Sequence, residues 1–215
     1  LNFLQVLIAA VLLSRKLKAV LRPDRQNVGV LLPTSIASGI SNLAIMMAGK
    51  VTVNLNYTTG PEAQEACIAQ AEIAQIITSR AFIGKLGIEP SPRHIYAEDL
   101  FKVPSTARKL ALFAIFMLSP AWLIQRVACS RNVSRDSVAT IIFSSGSTGA
   151  QKGIMLSHGN ISSNVQGLYD ILGLRREDAL VGILPFFHSF GFTAVLWLPM
   201  LSGIPVAYHY SPLEA

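Results

Sequence analysis

The stretch Phe143-Ser144-Ser145-Gly146-Ser147-Thr148-Gly149-Ala150-Gln151-Lys152-Gly153 decides how the rest of the chain is read. Glycines let backbone N–H groups come close to anionic oxygens, the hydroxyls of Ser144, Ser145, Ser147 and Thr148 add donors, and Lys152 adds a point charge. The run therefore reads as a loop that grips a polyphosphate. Upstream, the polar turn Arg135-Asp136-Ser137 precedes Val138 to Phe143, a short β-branched and apolar run that predicts a strand delivering the loop. Downstream, Gly153 to His158 also reads as extended, with a helix from Ile161 to Leu172 capped by Asn160 and stopped by Gly173. A Walker-type loop needs Gly-x-x-x-x-Gly-Lys-Ser/Thr opening directly onto a helix N-terminus. Here the lysine is followed by Gly153 and an extended segment, so neither spacing nor flank fits that class.

Working towards the N-terminus, Asn27 to Pro33 reads as a buried strand, Ile36 to Ala48 as a helix closed by Gly49, and Val51 to Asn56 as a second strand. Pro61 opens the next helix at a position that tolerates proline, with Glu62 and Glu65 at its dipole-favoured end. Ala74 to Thr78 then reads as a third strand. Strand and helix alternating with short connections implies right-handed crossovers. The expected fold class is thus α/β, a layered, mostly parallel sheet with helices on both faces.

Leu1 to Leu21 is nearly continuous in apolar residues, with Arg15, Lys16, Lys18 and Arg22 gathered at its end and Pro23 as its stop. Its uninterrupted apolar part is about half of the ~20 residues that a membrane span requires, which favours a leading helix over 1–22 packed on the protein. Gly84 to Thr106, with Pro90, Pro92 and Pro104, reads as loop. It opens a segment, 84–135, set off as an insert.

Within that insert, Leu110 to Ile124 is apolar with an internal Pro120, contains Trp122, and is bracketed by Arg108, Lys109 and Arg126. Too short to span, such a helix suits either a core position or the headgroup level of a bilayer. The chain carries a net charge of +6, and residues 100–135 hold Lys102, Arg108, Lys109, Arg126, Arg131 and Arg135 without one acidic residue. No recognised nucleic-acid motif accompanies these cations. The partner they favour is an anionic lipid surface or an acidic carrier protein rather than nucleic acid.

Hydrophobic residues make up 51% of the 215 residues and charged ones 14%, enough apolar matter for a substantial core. Cys67 and Cys129, far apart, form neither a disulfide framework nor a zinc spacing, and the four histidines are scattered. No metal cage is legible, and the free thiols point to a reducing, cytoplasmic location, with the cytoplasmic face of a membrane as the second reading. The chain opens on Leu1 and closes on Ser211-Pro212-Leu213-Glu214-Ala215, which predicts an internal piece of a longer polypeptide.

The phosphate-loop stretch resembles the signature loop of the adenylate-forming (AMP-binding) superfamily, Ser/Thr-Ser-Gly-Ser/Thr-Thr-Gly-x-Pro-Lys-Gly. It matches at Ser144 through Gly149 and again at Lys152 and Gly153. Gln151 departs from the family's proline, which removes a φ restraint but no phosphate contact. Pro185-Phe186-Phe187-His188-Ser189-Phe190-Gly191 resembles the family's Pro-x-Phe-His-x-x-Gly motif, whose histidine lies beside the carboxylate pocket; by that resemblance His188 and Phe187 are substrate-site residues. Val53-Asn54-Leu55-Asn56-Tyr57 after Ala48-Gly49-Lys50 resembles the opening of the family's large N-terminal domain. Its wording is similar to the synthetase half of the bifunctional bacterial acyl-carrier-protein synthetase and lysophosphatidylethanolamine acyltransferase.

The resemblance implies that residues 1–215 are part of that N-terminal domain. It also implies an acid–thiol ligase that uses ATP and Mg²⁺ to convert a carboxylate, a fatty acid above all, to an acyl-adenylate. The acyl group then passes to CoA or to the phosphopantetheine of an acyl carrier protein. Lys152 and Thr148 would serve the chemistry, and Ser144, Ser145, Gly146, Ser147, Gly149 and Gly153 would help hold the nucleotide. The family's Tyr-Gly-x-Thr-Glu stretch, its ribose-binding aspartate motif and its small C-terminal domain are absent from these residues, so the piece by itself is expected to be inactive. Two rival readings are a phosphate-loop hydrolase, opposed by the spacing above, and a non-catalytic membrane- or lipid-associated module with a vestigial loop.

Overall fold

The computed structural model describes residues 1–101, 106–129, 133–145, 151–175 and 177–209. Its centre is a six-stranded sheet in the order β4-β3-β1-β2-β5-β6. The strands are β1 (Asn27–Leu31), β2 (Val51–Asn54), β3 (Ile76–Thr78), β4 (His94–Tyr96), β5 (Val138–Ser145) and β6 (Gln151–Ser157). All neighbours run parallel except β5 and β6, which pair antiparallel at the edge.

Helices α1 (Phe3–Val20) and α2 (Ile36–Met47) cover one face, and α3 (Pro61–Gln70) and α4 (Arg80–Leu86) the other. The period of two along β1 explains this division. Val28 and Val30 join Val11, Leu17 and Ile45 in one cluster, while Leu31 joins Val53, Ile68 and Ile83 in the other. A chain with parallel strands buried on both faces needs apolar residues at successive positions, and β1 is buried from Val28 to Leu31.

One polar cluster is sealed inside. Asn42 on α2 donates from Nδ2 to Asn54 Oδ1 at 3.0 Å and accepts at Oδ1 from Thr52 Oγ1 at 2.7 Å and from Asn54 Nδ2 at 2.8 Å. This pairing of amides and a hydroxyl fixes α2 over the end of β2 with its buried polar groups satisfied.

The segment read as loop over 84–106 departs from that expectation. His94–Tyr96 forms β4 and extends the sheet beside β3, and Ala97–Leu100 is a short helix, α5. Three residues between the Pro90–Pro92 stretch and the start of α5 are too few to display a strand period. The apolar stretch expected as one helix over 110–124 is two, α6 (Thr106–Leu118) and α7 (Ala121–Ala128), because Pro120 cannot continue the α6 ladder and instead sits at the N-cap of α7. Leu112, Phe116 and Ala128 from these helices enter the α1–α2 cluster, so the segment is built into the body of the protein.

Beyond β6 comes α8 (His158–Leu172). Its start differs from expectation. Ser157, not Asn160, is the N-cap: its hydroxyl accepts the Asn160 N–H at 3.1 Å while Asn160 Oδ1 accepts the Ser157 N–H at 2.9 Å. Asparagine, a good cap in its own right, here serves three residues into the helix. The remaining elements are β7 (Leu180–Gly182), a π-helical turn (Gly191–Trp197), α9 (Leu198–Ser202) and β8 (Val206–Tyr208), which pairs parallel with β7 in a second, two-stranded sheet. Phe192, Leu196 and Leu198 are fully buried there against Ile142, Ile161 and Val165 of β5 and α8. No helix among the described residues is long and apolar enough to cross a membrane.

Candidate functional site

The β5–β6 pair brings the ends of the glycine-rich stretch together. In its register Ser145 faces Gln151, Ser144 faces Lys152 and Phe143 faces Gly153. Directly opposed residues of an antiparallel pair put their side chains on the same face, so half-buried Ser144 and exposed Lys152 stand beside each other at the mouth of the connecting segment. Gly146, Ser147, Thr148, Gly149 and Ala150, which make up that segment, lie outside the described residues, as does the Ser145 side chain. Among the described residues no carboxylate pairs with Lys152.

Gly153 has a steric reason. A Cβ there would come within 3.1 Å of Ile141 Cγ2 and 3.2 Å of Phe143 Cε1, because the Phe143 ring folds over the glycine opposite it. Packing of this kind stiffens the strand just past the lysine.

Gln151, which stands in the family's proline position, is held in another way. The Cys67 thiol, from α3, donates to Gln151 Oε1. Burial pushes the Cys67 pKa up, so the thiol keeps the proton that this bond needs. Around the pair lies a narrow cleft whose walls include Asn56, Gln64, Phe143 and Phe187. Phe187 belongs to the Pro185–Gly191 motif, and two stretches distant in sequence thereby meet at one place.

The Pro185–Gly191 turn is set by close backbone packing. A Cβ on Gly191 would overlap the Pro185 carbonyl oxygen, so only glycine lets the chain return this tightly. The Phe192 N–H donates to the His188 carbonyl at 2.8 Å, and the Phe190 N–H reaches His188 Nδ1 at 3.4 Å. The first bond fixes the backbone of the turn, and the second touches the imidazole, which is exposed.

A cavity of about 800 Å³ opens at the carboxyl ends of β1 and β3, with Thr34, Ser35, Tyr57, Phe82, Lys85 and Tyr208 among its walls. β1 is followed in space by β2 on one side and β3 on the other, and such a reversal of strand order leaves a crevice where α/β sheets hold ligands. Burial raises the pKa of the Tyr57 hydroxyl and pushes that of Tyr208 up to about 12, leaving both phenols neutral donors near neutrality. Phe187 touches this cavity indirectly, through Tyr57; His188 does not line it. The reading of the sequence missed Tyr57, Tyr208 and Cys67, whose roles depend on strand order rather than on any local motif.

Among the described residues no group of three or more His, Cys, Asp or Glu side chains could cage a metal ion. Magnesium commonly uses few protein carboxylates and takes much of its shell from substrate phosphates and water. Any Mg²⁺ here would have to come with the nucleotide or be held by other residues.

Comparison with known proteins places this geometry. Residues 4–213 match the AMP-binding enzyme family. The chain is 28% identical over 181 residues to 4-coumarate–CoA ligase 5 of Oryza sativa subsp. japonica, covering 82% of this chain and 32% of that protein. It is 27% identical over 183 residues to the mitochondrial malonate–CoA ligase ACSF3 of Xenopus laevis, covering 84% and 29% respectively. It thus spans about a third of the length of these curated relatives. Among solved structures it superposes on O-succinylbenzoate coenzyme A synthetase (MenE) from Bacillus subtilis, in complex with ATP and magnesium ion. The TM-score is 0.73 at 19% identity, over 96% of this chain and 50% of that one. For the fatty acid AMP ligase from Legionella pneumophila the TM-score is 0.74 at 18% identity, over 98% and 34%. The chain has the α/β fold of these enzymes and, by the match over nearly its whole length, belongs to the AMP-binding enzyme family.

Proposed function

We propose that the protein carrying this chain is an ATP-dependent acid–thiol ligase whose substrate is a fatty acid. A carboxylate oxygen attacks the α-phosphorus of ATP, the bond to the bridging oxygen breaks, and pyrophosphate leaves. The thiol of CoA, or of the phosphopantetheine on an acyl carrier protein, then attacks the acyl carbon and displaces AMP. Residues 1–215 would supply part of the N-terminal domain, and the work would be done in the cytoplasm beside a membrane.

The observation that carries this reading is the β5–β6 pair, where Ser144 stands opposite exposed Lys152 at the ends of a Gly-, Ser- and Thr-rich connection. In the proposed roles Ser144, Ser145, Gly146, Ser147, Thr148, Gly149 and Gly153 hold the β- and γ-phosphates, and Lys152 offsets the charge that develops on the leaving pyrophosphate. Mg²⁺, arriving with ATP, would add to the same charge neutralisation. Phe187 and His188 would position the carboxylate, and the cavity beside Tyr57 has the volume for an apolar chain or a pantetheine arm.

ATP–pyrophosphate exchange by the full-length protein, run with fatty acids of graded length and with short and aromatic acids, tests the proposal. Exchange that depends on the carboxylate and rises with chain length supports it. Exchange with aromatic acids alone rejects the fatty acid assignment. ATP binding with release of inorganic phosphate identifies a hydrolase, and failure to bind ATP identifies the lipid-associated module with a vestigial loop.

A further inference from the structure

Helix α6 is apolar on both sides, yet the described residues cover only one. Leu112 and Phe116 are buried in the cluster built around α1, with Ile115 packed against it. On the opposite side Leu110 is 62% exposed, Phe113 48% and Met117 61%, followed by Leu118 at 85% and Trp122 of α7 at 65%. The spacing Leu110, Phe113, Met117 puts these three on one helical stripe. Pro120 then turns the chain so that Trp122 begins the next helix. A helix apolar all round is normally buried on all sides, in a core or in lipid.

We propose that this face, Leu110, Phe113, Met117, Leu118 and Trp122, docks the protein on the surface of an anionic lipid bilayer. The inference extends the reading above, in which the protein acts beside a membrane, by naming the surface and the lipid class. Charge selects the occupant. In the sequence Arg108 and Lys109 directly precede Leu110 and Arg126 follows Trp122 by one helical turn, no acidic residue lies between 100 and 135, and Arg126 is exposed on α7. Cations that flank an apolar, tryptophan-bearing stretch in the sequence match the two layers of a bilayer surface, phosphates outside and acyl chains beneath. The helices are too short to cross; they lie in the plane of the interface.

Trp122 is a built-in probe. Trp197, the other tryptophan of these residues, is only 5% exposed. The full-length protein is mixed with vesicles of phosphatidylcholine alone or with phosphatidylglycerol added, some carrying brominated acyl chains. Each titration is repeated with Trp122→Phe and with the double variant Phe113→Ser, Met117→Ser, whose folding is checked by circular dichroism. Expected are binding to the anionic vesicles that falls with salt, quenching by brominated lipid that disappears in Trp122→Phe, and roughly tenfold or greater weakening in the double variant. Equal binding to both vesicle types overturns the charge selection and with it the proposal. Anionic-vesicle binding undiminished in the double variant, or a Trp122 protected without vesicles by a second copy or another part of the protein, also overturns it. ATP–pyrophosphate exchange on the same samples separates the two readings: exchange without vesicle binding sinks only the docking face, and vesicle binding without exchange sinks only the ligase.

Discussion

The Tyr57 ring meets the Phe187 ring edge-on, with centroids 4.9 Å apart and planes at 89°. Tyr57 follows β2 and also meets Phe82 edge-on at 5.2 Å, so one side chain joins the wall of the large cavity to the Pro185–Gly191 turn. Edge-to-face pairs contribute about 0.5–1.5 kcal/mol beyond the area they bury. A double-mutant cycle with Tyr57→Leu and Phe187→Leu, read by urea unfolding, is expected to return a coupling of that size. Additive effects would mean the rings are neighbours without being partners.

Gln151 gives a second prediction. In Gln151→Pro the backbone φ is fixed by the ring, whereas in the native protein the Cys67 hydrogen bond holds the residue. Cys67→Ala is expected to raise the KM for ATP several-fold while leaving kcat nearly unchanged, and Gln151→Pro in the same background to restore it. An unrestored KM would show that the thiol does not act through Gln151.

The buried Asn42 pair with Asn54 and Thr52 makes a stability prediction. Asn42→Ala strands a hydroxyl and an amide in a sealed site, each stranded group costing about 1–3 kcal/mol, so urea unfolding is expected to report a loss of about 2–5 kcal/mol. Asn42→Asp, which keeps an acceptor but removes the Nδ2 donor to Ser38 and Asn54, is expected to fail as well.

Acid sensitivity follows from His94 and His158, whose pKa values burial depresses below 6.5. His94 Nδ1 also accepts the Ser91 N–H at 3.2 Å, a bond that needs an unprotonated nitrogen. Above about pH 6.5 both are neutral whether folded or not. Below it the unfolded chain takes up protons first, so stability falls as pH drops towards the lowered values. The urea midpoint is expected to decrease from pH 7.5 to pH 5, with a shallower decrease in His94→Asn. An unchanged slope would remove His94 from this account.

Much of this was legible in the sequence because the signals are local. The β-branched runs at Val28–Leu31 and Val138–Phe143 announce strands, Pro61 announces a helix start, and the Gly-Ser-Thr run with Lys152 announces the family. What escaped depends on contacts between distant residues. β4 is three residues long and is held as a strand by β3. Ser157 takes the cap, and the Gly159 N–H just inside the helix donates to the carbonyl of Arg135, before β5, at 2.8 Å, a contact that no local motif announces. Cys67 gives no sign from spacing that its partner lies on β6, and Tyr57 none that it reaches Phe187.

The proposal that the phosphate loop stabilises a departing pyrophosphate stands or falls with Lys152, tested by carboxylate-dependent ATP–pyrophosphate exchange of Lys152→Ala in the full-length protein. Removing one preorganised charged donor costs about 3–4 kcal/mol at the transition state, which predicts a slowing of roughly a hundredfold to a thousandfold with folding intact. Exchange at the wild-type rate would contradict it.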